Sequence, residues 1–281
     1  VEITITPQDM PGFTYQSENS ITSSILNPDG STVLKLYYSR NKYTLTLNVG
    51  TGITSVQGQG EYYYEEQINI SASVKTGYTF TNWTGSSTIT NNSTTITIGT
   101  SSLTYTANAS ANTYNISYVL NDGTYGTNHP DTAAYDVAFE VSNPTKVGYT
   151  FTGWSITGMD TNTHTIGSST SSSSSASSIK DTSFKNLNAT NNETVTFTAN
   201  WIENSDTPYI IQYYLENLND SNYSLDQTIT EHKTGTTNAT VSAYETEPKQ
   251  IEGFIFDEIN VNNVKNGNIN ADGSLVLKLY Y

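Results

Sequence analysis

Cysteine is absent from the 281 residues, so no disulfide can staple the fold. Secreted eukaryotic modules of this size usually carry disulfides, whereas many bacterial surface proteins do without them. Basic residues are scarce, 11 against 26 acidic ones, for a net charge of −15. Phosphate contacts need clustered Lys and Arg, so nucleic-acid binding is excluded, and docking on an anionic membrane surface with it. No apolar run approaches bilayer-spanning length, so no direct membrane insertion is expected. The N-terminus has no signal-peptide pattern. The chain therefore reads as an interior segment, with export and anchoring signals expected elsewhere.

Histidine is also rare. His129, His164 and His232 lie far apart and show no metal-ligand spacing. No Ser-His-acid pattern or glycine-rich phosphate loop accompanies them. No catalytic, cofactor-binding or metal-ligating residue is assigned, no cofactor is expected, and the chain is read as non-enzymatic.

Thr, Ser, Asn, Tyr and Gly dominate, with 21 tyrosines and only 13% charged residues. Hydroxyl- and amide-rich surfaces over β-branched and aromatic residues suit sheets. Modules of about 70 residues would each bury a thin core and lean on their neighbours.

Internal repeats set the organisation. Tyr43–Thr46 matches Tyr114–Ser117, and Lys75–Trp83 matches Lys146–Trp154, both at an offset of 71 residues. The closing strands Leu103–Asn108 and Val195–Asn200 match at 92, so the second copy carries 21 extra residues. These include the serine run 168–178, expected to be a flexible surface loop. Asp29–Tyr38 differs from Asp272–Tyr281 only in Thr32, which is Leu275; Pro7, Gly12 and Phe13 match Pro248, Gly253 and Phe254. Nothing in 1–38 matches the strands from Tyr209 to about Thr240, so the chain is expected to begin partway through a module. Short polar joints (Ser39–Lys42, Ser110–Thr113, Glu203–Pro208) imply stiff stacking of beads. The expected modules are 1–40, 41–113, 114–203 with a Ser-rich insertion at about 167–182, and 204–281.

Period-two alternation marks strands. Tyr43, Leu45, Leu47 and Val49 share a face, as do Ile68, Ile70, Ala72 and Val74, then Tyr135, Val137, Phe139 and Val141, then Val195, Phe197, Ala199 and Trp201. Residues 131–141 also admit helical spacing through Ala134, Val137, Ala138 and Val141; strand is the preferred reading. Asn121-Asp122-Gly123, Pro28-Asp29-Gly30 and Ala271-Asp272-Gly273 mark turns. The fold class predicted is mainly β with little helix, in antiparallel or mixed sheets. Gly77 and Gly148 let the chain turn before a strand. Trp83 and Trp154 are read as core anchors, with Tyr78, Phe80, Tyr149 and Phe151 capping each core.

The segments Tyr114–Tyr118, Asn121–Thr124, Pro144–Trp154 and Thr198–Trp201 resemble the Listeria–Bacteroides repeat, also called the internalin B-repeat. Residues 43–113 are similar to a divergent copy, with Asn82 in place of the glycine before Trp83 and Ala109 in place of the final Trp. Residues 209–281, with Tyr209–Tyr214, Gly253-Phe254 and Leu277–Tyr281, resemble a mucin-binding-protein (MucBP) module, and residues 1–38 resemble the second half of another. These resemblances imply an elongated tandem array of β-grasp-like modules in a bacterial cell-surface protein. They supply no shared catalytic residues, and a mucin ligand does not transfer with the fold.

Several candidates for chemistry have a plainer reading. Glu216–Asn222 is oxygen-rich but lacks the calcium-loop glycine and distal glutamate, so it reads as a hydrophilic loop. Lys35 and Lys278, expected inside a Val-Leu-Lys-Leu-Tyr-Tyr strand, could crosslink to Asn or Asp; a lysine protecting a sheet edge is the plainer alternative. Tyr62-Tyr63-Tyr64 puts one ring opposite its neighbours, and Tyr63 could stack on a sugar or pack across strands. The leading expectation is an extracellular stalk or spacer in adhesion. One alternative is an adhesin module binding a host glycan or protein. The other is a self-assembling filament subunit pairing through exposed edges in residues 1–38. Partners are thus a host glycan or protein, or neighbouring modules of the same protein.

Overall fold

The computed structural model describes all residues, Val1–Tyr281. The protein is mainly β: its 26 strands are accompanied by a single 3-10 turn at Ser17–Asn19 and no α-helix. Residues divide into two compact units. The first is Val1–Thr113 with Ala134–Asp136 and Ala189–Asn191; the second is Tyr114–Ala133, Val137–Asn188 and Asn192–Tyr281.

In the first unit a four-stranded sheet has the order Gly60–Tyr63, Lys42–Val49, Leu103–Ala111, Tyr78–Gly85. Its two central strands run parallel, Leu103 opposite Leu45, while both outer strands are antiparallel. Parallel neighbours need a long crossover; here the intervening chain forms a three-stranded antiparallel sheet, Ser93–Thr97, Gln67–Val74 and Ile53–Gln57. Inward-facing residues of the unit gather in one core, with Trp83, Leu45, Ile70 and Ile98 at 1% exposure or less. The expected alternation holds at Leu45 and Leu47 and ends at the exposed Val49. Thr81 is bulged out where the register shifts between Asn108 and Ala109. Residues 1–38 form two-stranded pairings, Glu2–Thr4 with Ser23–Ile25, and Phe13–Tyr15 with Tyr38–Arg40.

The second unit repeats this order in a five-stranded sheet: Thr132–Ala134, Thr113–Val119, Thr194–Glu203, Tyr149–Thr157, Ser175–Ile179. Thr113–Val119 and Thr194–Glu203 are again central and parallel, and Thr152 bulges where Thr81 does. Trp154, Tyr114, Phe184 and Phe197 fill its core. A further sheet centres on Thr207–Glu216, which pairs parallel with Val276–Tyr280 and antiparallel with Tyr223–Leu225 and Glu231–Gly235. Its own core holds Ile211, Tyr213, Ile269, Leu277 and Leu279.

Three expectations are corrected. The run Tyr135–Val141 is neither one strand nor a helix: Thr132–Ala134 ends in a turn at Tyr135-Asp136, with Asp136 at φ 63°, and pairing resumes only at Phe139–Glu140. The serine run contains strands rather than an irregular loop. Ser175–Ile179 joins the edge of the five-stranded sheet, setting Ala176 opposite Ile156 and Ile179 opposite Trp154. The near-identical decapeptides also differ. Val276–Tyr280 is a strand, but of residues 31–37 only Lys35 makes a β-bridge, to Ile21. No strand lies beside 31–37 as Thr207–Glu216 lies beside Val276–Tyr280, so the same sequence forms no ladder there.

Candidate functional site: an asparagine clamp at each joint

The polar joints hold one arrangement three times. A glycine in left-handed conformation precedes a strand: Gly12, Gly77 and Gly148, at φ 80°, 75° and 74°. Its carbonyl accepts the backbone N–H of an asparagine at the joint, Asn41, Asn112 or Asn204, at 2.8–2.9 Å. The asparagine's own carbonyl then accepts the N–H of Tyr64, Tyr135 or Thr237, also at 2.8–2.9 Å. Its side-chain Oδ1 accepts the hydroxyl of Thr14, Thr79 or Thr150, the second residue after the glycine. The residue that follows Tyr64, Tyr135 or Thr237 turns left-handed each time: Glu65 at φ 61°, Asp136 at 63° and Asn238 at 64°. The first two clamps close wholly within the first unit and the third within the second.

Each glycine is required twice over, by its positive φ and by what lies against it. A Cβ on Gly12 would come within 2.3 Å of the Tyr64 ring, one on Gly77 within 2.2 Å of the Tyr135 ring, and one on Gly148 within 2.7 Å of Ala271. The tyrosine after the glycine adds another tie. Tyr78 Oη donates to Asp136 Oδ2 at 2.9 Å, and that bond is the main reason its pKa is raised. Tyr149 Oη accepts from Asn238 Nδ2 at the equivalent place. These two tyrosines therefore reach the clamp, while Phe80 and Phe151 pack on the tryptophans as expected. In the third clamp Thr237, fully buried, donates its hydroxyl to Gly148 O at 2.8 Å and shares a 2.7 Å bond with Thr207 Oγ1. The asparagines lie in the polar segments expected to be joints, but sequence reading did not single them out. The signal was present, since Asn41/Asn112, Tyr64/Tyr135 and Glu65/Asp136 all obey the 71-residue offset.

The asparagine of the closing strand has a role of its own. Asn108 Nδ2 donates to Thr84 Oγ1 at 3.1 Å, and Asn200 Nδ2 donates to Ser155 Oγ at 2.9 Å and Gly153 O at 3.0 Å. Both pin the chain beside the bulged Thr81 or Thr152.

The other candidates do not come together. His129 stacks on Tyr125 with centroids 4.5 Å apart. His164 is buried, its Nδ1 at 3.2 Å from Asn162 O and its Nε2 without a hydrogen-bond partner. His232 sits in strand pairing opposite Ile210. No three His, Asp or Glu side chains form a metal-binding group. In the loop Glu216–Asn222, Asp220 accepts from Asn217 Nδ2 at 2.8 Å and Asn222 N at 2.9 Å; the Asn217 bond is the chief cause of its lowered pKa. Lys35 is exposed, and the Lys278 ammonium lies 5.9 Å from the centre of the Tyr214 ring, on the sheet's outer strand. Within the tyrosine triplet, Tyr62 packs on the core and Tyr64 covers Gly12. Tyr63 is exposed, with Arg40 and Lys42 cations 5.4 and 5.0 Å from its ring centre. Trp83 and Trp154 are buried core residues.

A polar cluster of another kind lies in residues 209–249. Glu231 accepts from Lys249 Nζ at 2.8 Å and Tyr213 Oη at 2.9 Å, with Lys233 Nζ 2.9 Å from its second oxygen. The Lys249 bond leads the causes that pull its pKa down to about 2.

Residues 43–113 match the family model of the divergent InlB B-repeat domain. No curated protein matches the chain. Among solved structures, the Bacillus anthracis TIE protein aligns over 89% of this chain and 54% of its own, at 6% identity and a TM-score of 0.31. The chain thus spans about half of that structure, and the likeness is too slight to carry an inference. No helix is long and apolar enough to cross a membrane.

Proposed function

We propose that the chain is a non-catalytic repeat region of a bacterial cell-surface protein, extracellular, and that it serves as a stalk or spacer in adhesion. In this reading residues 1–40 are the C-terminal part of a MucBP-like module, and residues 204–281 are a MucBP-like module. Residues 41–113 and 114–203 are B-repeat modules, all built as variations on a β-grasp-like sheet. The family match of 43–113 supports the bacterial surface setting, and the shared strand order of 113–203 supports extending it to the second copy.

The observation that carries the spacer role is the clamp. Its hydrogen bonds use groups that an open binding site would leave free, and within one compact unit each time they tie the glycine turn to the asparagine and to a left-handed turn distant in sequence. Three such bonds, each worth about 0.5–1.5 kcal/mol net, suffice to favour one joint geometry over many. A glycan-binding reading would rest on Tyr63, whose ring already has two cations over it. A filament reading would rest on edges in residues 1–38, where the short strands already pair with one another.

Spin labels at the exposed positions Thr157→Cys and Ser242→Cys test the role across the third clamp. A narrow distance distribution that broadens with Asn204→Gly is expected. A broad distribution in the unsubstituted chain would refute the spacer reading.

A further inference from the structure

The clamp has a fourth glycine. Gly253 matches Gly12 in sequence, adopts φ 84° against 80°, and is likewise followed by a phenylalanine. The surroundings agree: Asp257 N bonds Tyr280 O at 2.8 Å as Gln16 N bonds Tyr37 O at 2.8 Å. Val264 bridges Lys278 as Ile21 bridges Lys35. Yet nothing lies within 4 Å of a Cβ built on Gly253, whereas Gly12, Gly77 and Gly148 are each covered. Two exposed apolar side chains stand beside it, Ile255 at 89% and Leu218 at 96% exposure, with the exposed Glu216, Asp220 and Ser221 on the same rim. Together with Phe254 and Tyr281 they line an open recess.

We infer that the face around Gly253 is a fourth acceptor half of the clamp, shaped for a module that presents a strand ending in asparagine and a tyrosine behind it, as residues 38–64 do. The three closed copies state what the occupant must supply. At Gly12 a strand runs antiparallel to Phe13–Tyr15, the N–H of Asn41 meets the glycine carbonyl, and the Tyr64 ring rests on the glycine and meets Phe13 edge-on with centroids 5.6 Å apart. Phe254 offers the same ring partner. One part differs: Ile255 stands where Thr14, Thr79 and Thr150 stand, so this acceptor offers an apolar contact in place of the hydroxyl bond. The exposure of Ile255 fits that exchange, because burying it is favourable. No asparagine of this chain's clamps is free to fill the site, since Asn41, Asn112 and Asn204 are all engaged. The inference rests on the spacer reading and extends it to a surface for one more bead.

The test appends a second copy of residues 39–113 directly after Tyr281 of the full chain and follows amide exchange by NMR. Antiparallel pairing alternates bonded and non-bonded pairs. Because residues 12 and 41, and 16 and 37, are bonded, Thr14 and Ser39 are bonded too, and Ile255 takes the place of Thr14. Exchange at the Ile255 amide should slow by about tenfold or more on extension. With Gly253→Ala in the extended chain the slowing should be lost, since a Cβ there would meet the incoming tyrosine ring. Unchanged exchange at Ile255, with Asn204 and Thr237 still protected, would overturn the fourth acceptor alone. Free exchange at Asn204 and Thr237 would instead overturn the clamp and the spacer reading with it.

Discussion

Gly148 and Gly253 form a natural experiment in what a clamp costs to break. Both hold nearly the same left-handed backbone, φ 74° and 84°. An alanine at either position pays about 1–2 kcal/mol for that conformation. Only at Gly148 does the new methyl have something to strike: Ala271 Cβ at 2.7 Å, with Ala271 Cα and O at 2.8 Å. Two of those atoms are backbone and cannot rotate away, so overpacking adds about 1–3 kcal/mol. Gly148→Ala should therefore cost about 2–5 kcal/mol locally and Gly253→Ala about 1–2 kcal/mol. Native-state amide exchange resolves the two sites, because each reports its own local opening. At about 1.4 kcal/mol per decade, Asn204 and Thr237 should exchange at least about thirtyfold faster in Gly148→Ala. Asp257, beside Gly253, should speed up by about fivefold to thirtyfold in Gly253→Ala. Equal effects would mean that nothing presses on Gly148 and that the clamp's steric half is wrong.

Two further outcomes follow from the cores. Glu231 is held at about 2, below its usual 4.5, so its contribution is fully present above pH 4.5 and disappears as pH falls through the folded value of about 2. The shift would be worth about 3 kcal/mol, reduced to about 1–2 kcal/mol because its side chain is 28% exposed to screening water. Acid titration of local stability in residues 209–281 should show that loss between pH 4.5 and 2 in the parent chain and lack it in Glu231→Gln; parallel curves would contradict the Lys249 and Lys233 pairing. The two buried tryptophans differ in one bond, since Trp83 Nε1 donates to Asn91 O at 3.2 Å and Trp154 Nε1 has no partner. Urea unfolding should find Trp83→Phe more costly than Trp154→Phe by about 0.5–1.5 kcal/mol, and the reverse order would refute the assignment.

What the sequence disclosed was what local period encodes. Leu45 and Leu47 alternate with threonines, so their shared face was legible, and the tryptophans could hardly lie anywhere but in thin cores. Which strand neighbours which was not legible, because alternation marks a wet face and says nothing of the partner. The parallel pairing of Leu45 with Leu103 joins residues far apart in the chain. Tyr135 shows the same limit. Its alternation with Val137 and Phe139 predicts a continuing strand, but its N–H is committed to Asn112 O and its ring to Gly77, and the chain turns at Asp136 to serve both. The serine run looks structureless because composition hides Ala176 and Ile179, two half-buried residues that pack against the core opposite Ile156 and Trp154.

The decapeptide ending in Tyr38 and its twin ending in Tyr281 make the point most sharply. Near-identical residues leave Leu34 and Leu36 half-buried in one place and bury Leu277 and Leu279 completely in the other. Propensity cannot separate the two; only the presence of Thr207–Glu216 alongside does. The clamp asparagines were illegible for the same reason. In a polar joint an asparagine reads as a solvated turn residue, and the same amide- and carbonyl-bearing residue becomes a joint only when a glycine carbonyl, a threonine hydroxyl and a distant N–H converge on it. The clamp lies in pairings between residues far apart in the chain, so it becomes visible in a sequence only where the repeat offset is applied to polar residues as strictly as to apolar ones.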